Sequence, residues 1–472
     1  SSGPFMNKPW EWLTMPEKEQ ALAACHGAIA EAMSRTANAP PEARALIEAL
    51  AVRYPQTEVP DDGVLASWER AYADAMIPVY EAYGDDPDIA ALYIDSQIML
   101  TPWQIYDVDK RAPNPEARER EIQAALERSL AGTGADHIGV LHFDIHVQEM
   151  SPTPEKALPS ARRLQELAPP DAGHLQHMPS HIHALVGDFD EATRCSRLSM
   201  ATDKRFMANL HRTPFYRTLV CHDVHMLMFA GMQTGNLADA ADAAIVMAEI
   251  LENVLVPPPV THMDMTLEGY YATIAHVDVR FGRWQQIADR EFAGDPAFMP
   301  VSHAMHHQAR AVALAALGRH DEADMAAADF DAARARVPAG YAYFNNQADD
   351  ILAVGAAMMR GEMAYHAGET EAGLAWLWRA VEAEDRLAYN EPRAWMHPPR
   401  HALGALMLEQ GRVAEALAIY ECDLGRVECY EKLGDPRAGD AGAALAAALP
   451  LADQPVTSSC FCRGRAGGSG TA

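Results

Sequence analysis

The chain gathers its candidate chemistry into a few histidine clusters. Residues 173–183 read Gly-His-Leu-Gln-His-Met-Pro-Ser-His-Ile-His, so four imidazoles fall within eleven residues of a 472-residue chain that has only 20 histidines. Pro179 suits the first turn of a helix, where its missing N–H costs nothing, and a helical continuation toward Gly187 puts His177 and His181 one turn apart on one face. A second cluster holds His137, His142 and His146, with Glu149 after them. On a helix His142, His146 and Glu149 stand at i, i+4 and i+7, which places two imidazoles and a carboxylate on one face. Neutral imidazole and carboxylate oxygen both suit zinc, iron or copper. Imidazoles bonded to core carbonyls, with Glu149 paired to an arginine, would account for the same pattern.

Composition narrows the partners. Lys and Arg total 38 against 66 Asp and Glu, a net charge of −28, which repels phosphate backbones and anionic lipid, so neither nucleic acid nor membrane is an expected partner. No run of about eighteen apolar residues appears, and the amino terminus has neither a basic nor an apolar leader segment, so a cytoplasmic protein is expected. Ser1-Ser2-Gly3-Pro4-Phe5 ahead of Met6 reads as a vector scar. The 7 cysteines are odd in number and scattered, which argues against a disulfide framework. Cys460 and Cys462 sit in a Ser/Gly-rich stretch, residues 451–472, read as a disordered tail.

The elements that must position these residues are helices. Helical patterns run from Trp10 to about Met33, from Pro41 to about Arg53, from Val64 to Tyr83, from Asp88 to Leu100 and from Glu116 to Ala131, with Asp61-Asp62-Gly63 and Gly84-Asp85-Asp86-Pro87 as breaks. Residues 6–134 form an amino-terminal helical region. Over 135–450 the chain then repeats itself. Val186-Gly187-Asp188-Phe189-Asp190-Glu191-Ala192 is echoed by Leu317-Gly318-Arg319-His320-Asp321-Glu322-Ala323 and by Gln410-Gly411-Arg412-Val413-Ala414-Glu415-Ala416, with looser copies at Gly235, Gly282 and Gly368. Each glycine is expected to end one helix in the left-handed conformation, and the small residue after it to let the next helix pack closely.

This helix–glycine–helix period resembles tetratricopeptide repeats, over roughly Leu100 to Ala448. The resemblance implies an all-α fold of helix–turn–helix repeats stacked in a right-handed superhelix, the first helix of each pair lining its inner wall. Ten residues before Gly187, Gly235 and Gly411 stand His177, His225 and His401, and eleven before Gly318 stands His307. Imidazoles thus recur at one height of the inner wall, joined by His181, His222 and His303.

Leu141-His142-Phe143-Asp144-Ile145-His146, His174 to His181 as His-x-x-His-Met-Pro-Ser-His, Cys221-His222-Asp223-Val224-His225, His307-Gln308-Ala309-Arg310 and Tyr389-Asn390-Glu391-Pro392-Arg393-Ala394-Trp395 resemble a bacterial group of large tetratricopeptide-repeat proteins with a histidine-rich core. The chain departs from that group at Phe143-Asp144, Asp223-Val224 and Arg393. By this resemblance His142, His146, His177, His181, His222, His225 and His307 are the matching metal-ligand positions.

No glycine-rich phosphate loop, Gly-x-Ser-x-Gly elbow or Cys-x-x-Cys pair is present, so a metal carries the enzyme case. Histidine-rich coordination favours copper or zinc, and admixed carboxylate suits iron. Met178, Met226 and Met263, each beside a histidine, tilt the choice to copper. The leading expectation is a copper- or iron-dependent oxidoreductase acting with dioxygen on a small molecule or peptide. Glu149 or Asp223 would serve as a base, and Tyr389, Trp395 and Arg400 as substrate contacts through aromatic stacking and a carboxylate clamp. A zinc hydrolase, with Glu149 taking a proton from bound water, and a non-enzymatic scaffold for a protein partner are the alternatives.

Overall fold

A computed structural model describes residues 8–107, 112–207, 214–251, 261–421 and 452–454. The chain divides into two compact units, Ser1–Val186 and Gly187–Ala472. It is predominantly helical. Among the described residues no helix is long and apolar enough to cross a membrane. The Cys460/Cys462 tail lies outside the described residues.

In the first unit the helices are α1 (Met15–Ser34), α2 (Pro41–Ala51), α3 (Asp62–Tyr83), α4 (Pro87–Ile98), α5 (Glu119–Leu130), α6 (Ile138–Glu149), α7 (Leu158–Leu167), α8 (Gly173–His177) and α9 (Pro179–Leu185). Trp10 stands apart in a short 3-10 turn, because Thr14 and Glu17 form a capping box that starts α1 afresh. Within the loop expected after Leu100, Tyr106–Asp107 (β1) pairs antiparallel with Ala112–Pro113 (β2). The expected boundary after residue 134 falls inside this unit, because α6 packs against both α4 and α5.

A buried ion pair organises the amino-terminal helices. Arg53 Nε lies 2.9 and 3.1 Å from the two carboxylate oxygens of Glu69, and Trp10 Nε1 donates to Glu69 at 2.8 Å. The guanidinium also sits over the rings of Tyr54 and Tyr72, 5.5 and 5.0 Å from their centroids. One carboxylate thereby ties the Trp10 turn, the end of α2 and α3 together.

The second unit contains α10 (Phe189–Phe206), α11 (Pro214–Thr234), α12 (Leu237–Leu251), α13 (His262–Arg280), α14 (Trp284–Asp289), α15 (Pro300–Ala316), α16 (His320–Arg334), α17 (Ala348–His366), α18 (Thr370–Glu384), α19 (Pro399–Glu409) and α20 (Val413–Glu421). A two-residue ribbon, β3 (Ala342–Tyr343) with β4 (Asn346–Gln347), precedes α17. Gly187, Gly235, Gly282, Gly318, Gly368 and Gly411 all have positive φ, as the sequence pattern requires. At Gly318 (φ 74°) the cap is complete: Arg319 N–H donates to Leu314 O and Gly318 N–H to Ala315 O, both at 2.9 Å. This Schellman closure satisfies carbonyls that the helix end leaves open. The same pair of bonds recurs at Gly282, Gly368 and Gly411. Successive helices then approach closely; a Cβ on Gly373 in α18 would stand 2.9 Å from the carbonyl oxygen of Gly361 in α17.

Removing one partner of a buried ion pair leaves the other charge uncompensated, which costs about 3–5 kcal/mol. Glu69→Ala is therefore expected to destabilise the first unit by about that amount. Denaturant unfolding followed by circular dichroism checks this, and a loss below about 1 kcal/mol, the range of exposed pairs, would contradict the role given to Glu69.

Candidate metal centre

Five of the first unit's imidazoles form a closed ring. Centroid separations are 4.6 Å for His142–His146, 6.2 Å for His146–His181, 4.7 Å for His181–His177, 6.2 Å for His177–His174 and 5.3 Å for His174–His142. Two local arrangements produce this. On α6, the i, i+4, i+7 spacing aligns His142, His146 and Glu149. In the second stretch, α8 and α9 meet at Met178, whose φ of −47° and ψ of −42° keep the helical phase across the Pro179 break. His174, His177 and His181 consequently share a face.

Glu149 fixes two of these rings. Its Oε1 accepts from His146 Nδ1 at 2.7 Å and its Oε2 from His181 Nδ1 at 2.5 Å. With Nδ1 committed, Nε2 is the nitrogen each ring offers a metal, the arrangement by which an outer carboxylate orients a ligating imidazole. His181 Nε2 lies 2.7 Å from His177 Nε2, and His142 Nε2 lies 3.3 Å from His174 Nε2. Nitrogens bound to one ion at about 2.0–2.1 Å stand about 2.9–3.4 Å apart, so both pairs are near chelating separation. His142, His146 and His174 also form a group whose ligand nitrogens all lie within 4.8 Å of one another. Closing them on one ion requires each to move by only about 1 Å.

Burial surrounds the ring and disfavours charge on two of its members. His146, His177, His181 and Glu149 are buried. Burial, reinforced by His181, pushes the His142 imidazole down to about 4. Burial also holds His174 well below the usual imidazole range, with His142 and His181 adding to the effect. Asp144, on the opposite side of α6, accepts from Ser160 at 2.5 Å, and Gln148 donates to Gln123 at 2.9 Å. These contacts hold the rotation of α6 against α7 and α5.

The other candidates have different surroundings. His174, absent from the ligand set drawn from the resemblance, belongs to the ring; its i−3 spacing from His177 was the available signal. His137 caps α6 through its Nδ1, at 3.3 Å from Val140 N, and meets Asp88 at 3.0 Å. His183 faces Gln165. Met178 packs in the apolar core with Leu141, Ile145 and Ile182, which removes one argument for a thioether ligand.

In the second unit His222 Nε2 lies 3.9 Å from Glu391. His225 is 1% exposed, sits between Tyr270 and Phe344, and has Met396 Sδ 3.0 Å from its Nε2. Burial pushes its imidazole down to about 3. His307 Nε2 pairs with His303 Nε2 at 3.1 Å on its own helix, while Arg336 reaches the other nitrogen of His303 at 3.3 Å. Asp223 is a buried carboxylate accepting from Ser199 at 2.5 Å; burial and the neighbouring Asp203 raise it far above the usual carboxylate range.

The expected substrate residues have the following surroundings. Arg400 bonds both oxygens of Asp385, at 2.6 and 2.7 Å, so its fork already holds a carboxylate of the chain. Trp395 is a core residue, 2% exposed, edge-on to His276 at 4.4 Å. Tyr389 is half-buried, its carbonyl accepting from Asn345 at 2.9 Å.

No protein-family model matches the chain, and no curated protein is similar to it in sequence.

Because a metal competes with protons for imidazole nitrogen, a depressed His142 delays that competition. Metal affinity is expected to stay flat from about pH 8 to pH 6 and to fall as pH approaches about 4. Competition titrations with a chelator at several pH values check this. A loss centred on about pH 6.5, the ordinary imidazole value, would contradict the buried arrangement.

Proposed function

We propose that the first unit holds a transition metal, copper in preference to iron or zinc, and that the protein is a metal-dependent oxidoreductase acting with dioxygen on a small molecule or peptide. The observation that carries this reading is the closed ring of imidazoles with Glu149 on two Nδ1 atoms. His142, His146 and His174 would hold the ion, and His177 and His181 offer further nitrogens beside it. The donors are all nitrogen, since the one carboxylate present orients rings, and such a set suits copper better than the mixed nitrogen and oxygen set of iron. A bound copper ion would supply one-electron exchange with dioxygen. The chain's own residues disfavour charge on His142 and His174, and Glu149 fixes which nitrogen of His146 and His181 is left for the ion.

Zinc accepts the same nitrogens, but a zinc hydrolase needs a group to take the proton of bound water. Glu149, expected in that role, has both oxygens on imidazole N–H groups, which ranks hydrolysis second. The glycine-capped hairpins of the second unit support reading it as tetratricopeptide-like repeats in a right-handed superhelix. That architecture also serves scaffolds that bind a protein partner, the remaining alternative.

Elemental analysis of the purified protein beside a His142→Ala/His146→Ala variant tests the proposal. Stoichiometric copper lost in the variant is the expected result; zinc in its place would turn the search to hydrolysis, and no metal after reconstitution would leave the scaffold reading. Glu149→Gln, which keeps the shape but weakens the hold on both rings, is expected to lower metal affinity about 10- to 100-fold. Unchanged affinity in that variant would remove Glu149 from the centre.

A further inference from the structure

The second unit contains a cavity of about 20 Å³ among α13, α14, α15, α17 and the segment before α19. Its wall is largely apolar, from Met305, Met358 and the rings of Trp284 and Trp395. Three nitrogens of its lining residues, Trp284 Nε1, Trp395 Nε1 and His276 Nε2, are buried without a hydrogen-bond partner among the described residues. Trp395 and His276 are 2% and 4% exposed, so bulk water does not satisfy them. Buried polar groups are nearly always paired, and three orphans on residues that line one void point to an occupant that pairs them.

The chemistry of the lining defines that occupant. An indole N–H can only donate, so the two tryptophans require an acceptor. Burial pushes His276 down to about 3, so it is neutral and its Nε2 can accept. Glu362, 7% exposed, adds a carboxylate that accepts further bonds and also lies 3.7 Å from His366. Gln308 and His397 complete the polar lining, and no Lys or Arg is part of it, so an anion there would face Glu362 without a lysine or arginine to offset it. A primary carboxamide matches the set: its carbonyl oxygen takes two N–H donors and its NH₂ supplies two. A single water needs about 10–15 Å³ of such space, so the void exceeds the minimum for one water.

We infer that this cavity is a binding site for an uncharged primary carboxamide group, recognised by the indole N–H groups of Trp284 and Trp395 together with His276 and Glu362. Formamide and the isosteric formate ion test it on the full chain carrying ¹⁵N-labelled tryptophan. The protein has 8 tryptophans, and Trp284→Phe and Trp395→Phe assign the two indole resonances that matter. Formamide is expected to shift those two saturably and leave the others in place, while formate at equal ionic strength shifts neither.

Trp395→Phe keeps an aromatic ring, though a smaller one, and loses the donor, and is expected to weaken formamide binding about tenfold, the size of one lost hydrogen bond; where that variant does not fold, Trp284→Phe serves the same purpose. Glu362→Gln is expected to admit formate. Resonances unmoved by formamide would show that the cavity takes water alone and overturn the assignment. Formate binding as well as formamide to the parent chain would overturn it too, as would undiminished formamide binding by the folded phenylalanine variant.

Discussion

The candidate centre depends on one buried carboxylate. Glu149 is 3% exposed and would be costly to bury as an isolated ion. Two imidazole N–H groups, from His146 on its own helix and His181 on α9, remove that cost. In return the carboxylate settles which nitrogen of each ring faces inward. Without it the rings could adopt either tautomer and either flip, and the inward nitrogens would not converge. A carboxylate in this position stabilises a geometry and thereby tunes the donors it never replaces.

A second constraint governs the other unit. Each helix end leaves carbonyls open, and the left-handed glycine closes them while reversing the chain. Since the same closure recurs at Gly282, Gly318, Gly368 and Gly411, the helices meet as successive antiparallel pairs with little loop between them. Where the pairs touch, small residues such as Gly361 and Gly373 let backbones approach. The α13, α15 and α17 helices, each the first of its pair, then supply most of the wall of the cavity beside Trp395.

The histidines show how little residue type alone decides. His177 and His225 stand at the same distance before their glycines. One joins a ring of imidazoles, while the other is packed between Tyr270 and Phe344 against a methionine sulfur. Arg400 and Trp395 both carry the chemistry of a substrate pocket, yet Arg400 is held by Asp385 while Trp395 lines a buried cavity. Asp223 has the functional group of a base, but burial beside Asp203 favours its protonated form.

What the sequence determined by itself is whatever depends on neighbours along the chain. Helix positions, the capping glycines and the sharing of a face by His142, His146 and Glu149 are all of this kind, because helical periodicity and cap chemistry act over a few residues. The Tyr106–Asp107 ribbon escaped because two residues are too few to show an alternating pattern. Tertiary structure alone decided that α6 and the α8–α9 stretch bring their rings together, that His174 joins them and that Glu149 faces two imidazoles. It also decided which polar atoms are left unpaired around the second unit's cavity. Those outcomes depend on contacts between residues distant in sequence, where packing and desolvation assign each side chain its partner.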